Sequence, residues 1–92
     1  ISLYGAEAKY LVALQWYNAG NYASAEKEIL NFIDQSTPHA YWLARSFILL
    51  SDVYVAMDKK LDARQYLLSL QQNYQADDDI ASMINERLEK LK

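Results

Sequence analysis

The sequence predicts an all-α chain, an α-solenoid fragment of two antiparallel helix–turn–helix repeats closed by a C-terminal capping helix. Three observations lead there. One pattern occurs twice at an offset of 38 residues: Val12-Ala13-x-x-Trp16…Ala25-x-x-x-Ile29 returns as Leu50-Ser51-x-x-Tyr54…Ala63-x-x-x-Leu67. A fixed period of this size is the mark of a repeat architecture. Apolar residues recur at helical spacing, and no segment alternates with period two for long enough to make a strand. Two glycines and one proline are the only residues of those types, and each falls where a helical reading needs a break.

The first helix is expected from about Ala6 to Ala19, with Gly20 as the left-handed stop that side chains with a Cβ resist. Asn21 then caps a second helix over about Tyr22 to Gln35. Ser36 and Thr37 read as capping residues, with Pro38 in the first helical position, where its missing N–H costs nothing. The third helix follows to about Met57. The turn at Asp58-Lys59-Lys60 is polar and lacks glycine, so its geometry is open. A fourth helix covers about Leu61 to Asn73. After a polar stretch, Asp77, Asp78 and Asp79 stand where negative charge suits a helix N-terminus. The fifth helix carries Ile80, Ile84, Leu88 and Leu91 in one stripe, with most of its charges off it. The organisation is thus one domain over residues 1–92, with repeats at 6–37 and 38–75 and a capping helix at 76–92.

Helices one and three differ from helix five. Tyr10, Leu11, Val12, Ala13, Leu14, Trp16 and Tyr17 surround the first almost completely, and helix three is similar from Trp42 to Val55. A helix that is apolar all round must be covered on several sides. Helix three has neighbours before and after it in the chain. Helix one has none before it, which points to an upstream repeat, a partner chain or a second copy of this one. The chain begins at Ile1 and not Met, so it reads as a fragment or a processed product.

Composition narrows the function classes. Ninety-two residues make one small domain, near the size where a single core stabilises only modestly. With no cysteine, disulfides, thiolate metal sites and cysteine nucleophiles are excluded. The net charge of −3 argues against a nucleic-acid surface, which needs clustered Lys and Arg. The most apolar segment, Tyr41 to Ala56, contains Arg45 and Asp52 and is too short to span a bilayer, so no membrane insertion is expected.

The doubled pattern resembles the tetratricopeptide repeat, a helix–turn–helix unit of about 34 residues with spacing W-x2-L-G-x2-Y…A-x3-F…P. The first copy reads Lys9-x2-Val12-Ala13-x2-Trp16…Ala25-x3-Ile29, and the second Phe47-x2-Leu50-Ser51-x2-Tyr54…Ala63-x3-Leu67. Ala6 pairs with Ala44, and Phe32 with Leu70, at the same offset. Small residues at Ala13, Ser51, Ala25 and Ala63 let paired helices approach closely. Large ones at Trp16, Tyr54, Ile29 and Leu67 fill the gaps. Trp16, Trp42, Phe47 and Tyr54 are expected in the core. Lys9, Gln75 and Asp58 depart from the family's aromatic, proline and turn glycine. The second copy is similar in style to the ends of large bacterial cell-envelope repeat proteins.

The resemblance implies a concave groove lined by the first helix of each pair, which in the family holds extended peptides or partner helices. Carried over, that face takes Glu7, Tyr10, Leu14, Tyr17 and Asn18 from copy one and Arg45, Ile48, Asp52, Val55 and Ala56 from copy two. The Lys/Asn set that clamps a C-terminal carboxylate in some members is not present. Two readings of the face stay open. Tyr10, Leu14, Tyr17, Asn18, Arg45, Ile48, Asp52 and Val55 bind a partner, or Tyr10, Leu14, Tyr17 and Ile48 pack against the fifth helix or an upstream one.

Chemistry finds little to stand on. His39 is the only histidine and lacks an evident nucleophile and orienting acid, so it is read as exposed at a helix start. The aspartate run lacks the spacing and glycine turn of a calcium loop. No zinc-protease, phosphate-loop or nucleophile-elbow motif occurs. The expected function is therefore a non-catalytic protein-interaction scaffold with a protein or peptide partner and no cofactor. The alternative is a purely structural C-terminal cap or self-association segment of a longer repeat protein.

Overall fold

Ser2 begins the first helix. In the computed structural model, which describes residues 2–35 and 37–92, its hydroxyl accepts a 3.0 Å bond from the Gly5 N–H. That side chain satisfies one of the orphan donors of the first turn. Helix α1 therefore runs Leu3–Asn18, three residues earlier than expected, and Gly5 lies inside it. The glycine ahead of Ala6 is not a break, because the cap before it is strong enough to carry helix through it.

The end of α1 is as expected, and its geometry is complete. Ala19 is the C-cap and Gly20 takes φ 78°. The Gly20 N–H bonds the Tyr17 carbonyl and the Asn21 N–H bonds the Trp16 carbonyl, the paired bonds of a Schellman turn. Asn21 then caps α2 (Tyr22–Asp34) by accepting from the Ser24 N–H. The turn after α3 (Ala40–Ala56) repeats this 38 residues later. Asp58 takes φ 60°, with its N–H on the Val55 carbonyl and the Lys59 N–H on the Tyr54 carbonyl. An aspartate thus occupies the position that glycine holds in the first copy. Helix α4 spans Lys60–Asn73 and α5 Ile80–Lys90.

The start of α3 departs from expectation. Pro38 is not its first residue: the helix opens at Ala40 with His39 in the cap position and no side-chain cap bond. Thr37 Oγ1 instead accepts from the His39 N–H, a bond local to the link that competes with helix. The predicted capping role of Ser36 lies outside the described residues. His39 itself is half-buried, not exposed.

All five elements are helices, and no strand occurs among the described residues. Helices α1 and α2 form one hairpin and α3 and α4 another, while α3 also lies against α1 and α2, and α5 against α3 and α4. Helices α1, α3 and α5 thus stand side by side, with α2 and α4 wedged behind. The thinnest dimension, 18 Å, fits two layers of helices at an axis spacing of about 10 Å plus part of their width.

The small positions carry this packing. Ala6, Ala13, Ala25, Ala44, Ser51 and Ala63 are all buried, as are Ile29, Phe32, Leu67 and Leu70. One core cluster joins Tyr10, Ala13, Ala25 and Ile29 to Leu49, Leu50, Val53 and Tyr54. A second joins Ala44, Ile48, Leu67 and Leu70 to Ile80 and Ile84. Helix α5 therefore covers the far side of the second hairpin, as its stripe predicts. Of the aromatics expected in the core, Tyr54 is 8% exposed, Trp42 and Phe47 are half-buried against the two clusters, and Trp16, the repeat equivalent of Tyr54, is 39% exposed. The same repeat position needs a neighbouring helix to bury it, and α1 has none on that side.

Candidate functional site

The face made by α1, α3 and α5 is crossed by two polar rungs. They lie seven residues apart on α1 and on α3, about two helical turns. In the first rung the long side chain comes from α3, and in the second it comes from α5.

In the first rung Arg45 of α3 donates to Tyr10 Oη at 3.2 Å and to Tyr41 Oη at 2.9 Å. Tyr41 Oη donates in turn to Asp79 Oδ1 at 2.9 Å, just ahead of α5. The guanidinium carbon also sits 5.1 Å from the centre of the Tyr10 ring, within cation–π range. Burial works against the charge of Arg45, but the bonds to Tyr41 and Tyr10 outweigh it, so its pKa rises above the ordinary value. Its Nε is buried without a partner.

In the second rung Arg87 of α5 grips Asp52 of α3 with a fork: Nε to Oδ1 at 2.9 Å and Nη2 to Oδ2 at 3.0 Å. Parallel bidentate bonds of this kind are the strong form of the ion pair. The Arg87 Nη1 also donates to the Met83 carbonyl at 3.2 Å. Desolvation opposes the Arg87 charge and the Asp52 carboxylate more than offsets it, so its pKa is raised. Tyr17 of α1 stands beside this pair. Burial, and then the Asp52 charge, push its phenol upward.

Above the second rung is an open cleft of about 400 Å³. Tyr17, Ser51, Asp52 and Val55 line one side, and Glu86, Arg87, Lys90 and Leu91 the other, with Lys60 at the edge. The Asp52–Arg87 fork neutralises itself. Lys60 and Lys90 make no salt bridge among the described residues. The cleft therefore offers an apolar wall of Tyr17, Val55 and Leu91, with Lys60 and Lys90 beside it against one acid outside the fork, Glu86.

No family model, no curated relative and no solved structure matches the chain. The fold and this face carry the functional argument alone.

The face distributes the eight predicted residues unevenly. Tyr17, Asp52 and Val55 come together at the cleft. Tyr10 and Ile48 are core side chains, Ile48 packed under Ile80 and Ile84 of α5. Leu14 is half-buried against the first core cluster. Arg45 is tied up in the first rung, and Asn18 is exposed but not part of the cleft. Of the packing alternative, only Ile48 meets the fifth helix; Tyr10 and Leu14 pack instead with α2 and α3 in the first core cluster. Sequence reasoning missed the contribution of α5, namely Glu86, Arg87, Lys90 and Leu91. For Glu86, Arg87 and Lys90 the available signal was their place off the main stripe of Ile80 and Ile84, whereas Leu91 belongs to the stripe itself.

Two of the aspartates before α5, Asp78 and Asp79, have structural partners. Asp78 Oδ1 accepts from the Ile80 N–H at 2.9 Å, and its Oδ2 accepts from Tyr74 Oη at 2.6 Å. That bond to Asp78 pushes the Tyr74 phenol up to about 12. No group of three metal-ligating side chains gathers among the described residues. No helix among them is long and apolar enough to cross a membrane.

Proposed function

We propose that this chain is a non-catalytic protein-interaction module of the tetratricopeptide type, holding a segment of a partner protein in the α1/α3/α5 cleft. The observation that carries the reading is the cleft itself. Its floor is a self-neutralised Asp52–Arg87 fork, and its open groups are aromatic, aliphatic and charged, with two lysines against the one acid Glu86. Such a site fits an apolar side chain flanked by an acidic one: the wall desolvates the first and Lys60 and Lys90 attract the second.

Two further points support a binding role over chemistry. His39 precedes Val55 by 16 residues, roughly 24 Å along a helix, so it lies outside the cleft. The tyrosines whose pKa values shift move upward, away from the range of a useful base at neutral pH.

Random-peptide display against the immobilised chain tests this. Selected peptides are expected to be acidic with an apolar residue. They should lose at least about tenfold in affinity, on the order of one hot-spot contact, against Tyr17→Ala or Lys90→Glu, with the melting curve unchanged. Peptides that bind all of these proteins equally would show that the cleft is not the site. The exposed apolar side of α1 favours a second role, as a stacking element.

A further inference from the structure

The surface of α1 opposite its buried stripe is apolar and open. Leu11, Val12 and Trp16 are 45%, 42% and 39% exposed. They stand 38 residues before Leu49, Leu50 and Tyr54 of α3, which are 3%, 0% and 8% exposed. The two surfaces are the same repeat positions in two states, one bare and one covered. What covers the α3 surface is visible: Leu49, Leu50, Val53 and Tyr54 share one core cluster with Tyr10 and Ala13 of α1 and with Ala25 and Ile29 of α2.

We propose that the open face of α1 is a docking surface for one more two-helix hairpin of the same repeat pattern, joined to the N-terminal side of α1 as α2 is joined to α3. Shape supports this. Val12, Gln15, Trp16 and Ala19 line a shallow hollow of about 300 Å³. Their equivalents Leu50, Val53, Tyr54 and Met57 form the part of α3 that packs in that core cluster. A covering hairpin supplies two helices, one beside α1 and one behind it, and so fills both the ridge at Leu11 and the hollow at Trp16. Pairing with the α1 of a second copy supplies only one. Connectivity supports it as well. Residues 35–39 suffice to bring the end of α2 onto α3, so an equally short link at Ser2 delivers a hairpin onto α1 with no long loop.

The inference rests on the repeat equivalence of α1 and α3 and not on the cleft having a ligand, so its failure leaves the peptide experiment untouched. It makes the chain part of a stack, in which each hairpin completes the burial of the next.

The test places a copy of residues 1–38 ahead of Ile1 in the full chain, which preserves the 38-residue period. The natural sequence has no cysteine, so Leu11→Cys in the original segment alone gives a single thiol on the face. In the fusion the thiol should label at least about tenfold more slowly than in the unfused chain, the signature of a site that reacts only after local opening. The melting temperature should rise by more than about 5 °C. Adding Trp16→Glu in the original segment of the fusion should cancel both effects.

Three outcomes overturn the proposal. One is an appended segment that stays unfolded by circular dichroism, because docking is what must fold it. Another is a folded segment with the thiol labelling at the original rate. The third is an unfused chain that sediments as a dimer with the thiol already protected, which gives the face to a second copy.

Discussion

Helices α1 and α3 carry the same pattern of small and large residues and end in the same turn, yet they are in opposite states. Helix α3 is wedged between α1 and α2 on one side and α4 and α5 on the other, and eight of its residues are buried. Helix α1 has neighbours on one side only, and three of its residues are buried. The sequence of a repeat helix therefore specifies which positions are made for burial. Whether they are buried depends on what stands next in the stack. That is why an apolar surround, which reads as core in both helices, is core in one and surface in the other.

The largest effect is expected from making α3 as bare as α1. Removing residues 80–92 strips α5 from Ala44, Ile48, Leu67 and Leu70. Burial of Ile80 and Ile84 alone is worth roughly 3–6 kcal/mol, a large share of the stability of a domain this small. The truncated chain should lose most of its cooperative thermal transition and bind a hydrophobic dye. A melt unchanged from that of the full chain would mean that α5 does not cap the second hairpin, and that α3 tolerates a bare flank as α1 does.

A milder experiment compares equivalent positions. Leu50→Ala removes a fully buried side chain from the main cluster and should cost about 2–5 kcal/mol. Val12→Ala, the same repeat position on α1, should change stability by less than about 0.5 kcal/mol. Denaturant titration of both variants measures the difference. Similar losses at the two positions would show that the face of α1 is already covered in solution.

The same contrast explains what was legible. The five helices, the hairpin pairing and the small packing positions follow from spacing, because a residue such as Ala25 or Ala63 has one role wherever its helix pairs. Trp16 did not follow, since its repeat position is buried only when a preceding hairpin exists. The start of α3 was misplaced because Thr37 has a choice of partners, and the local bond to the His39 N–H wins over the first helical turn. At the cleft, Tyr17, Asp52 and Val55 were readable from the inner face of two helices. Arg87 and Lys90 were not, because α5 departs from the repeat pattern and its polar residues gain meaning only once Ile80 and Ile84 dock. The fork between Asp52 and Arg87 joins residues 35 apart, a long-range pairing that no local pattern encodes.

The smallest expected effects come from the turns, where the two copies differ in residue and not in geometry. Gly20 and Asp58 both sit at positive φ, 78° and 60°, with the same pair of closing bonds. A side chain in this region costs on the order of 1 kcal/mol through contact of Cβ with the backbone. Nothing lies within 4 Å of where a Cβ on Gly20 would stand, so Gly20→Ala isolates that backbone term. It should lower the melting temperature by about 4–8 °C. Asp58→Gly removes the same strain from the second copy and should raise it, by somewhat less, since glycine also loses more freedom on folding. Opposite signs at the two sites would establish that both hairpins are closed by one turn and that only the first carries the residue suited to it. A loss at Asp58→Gly would instead mean that the aspartate side chain has a stabilising role at the end of α3 that outweighs its strained backbone, and the two turns would then be alike in shape but not in what holds them.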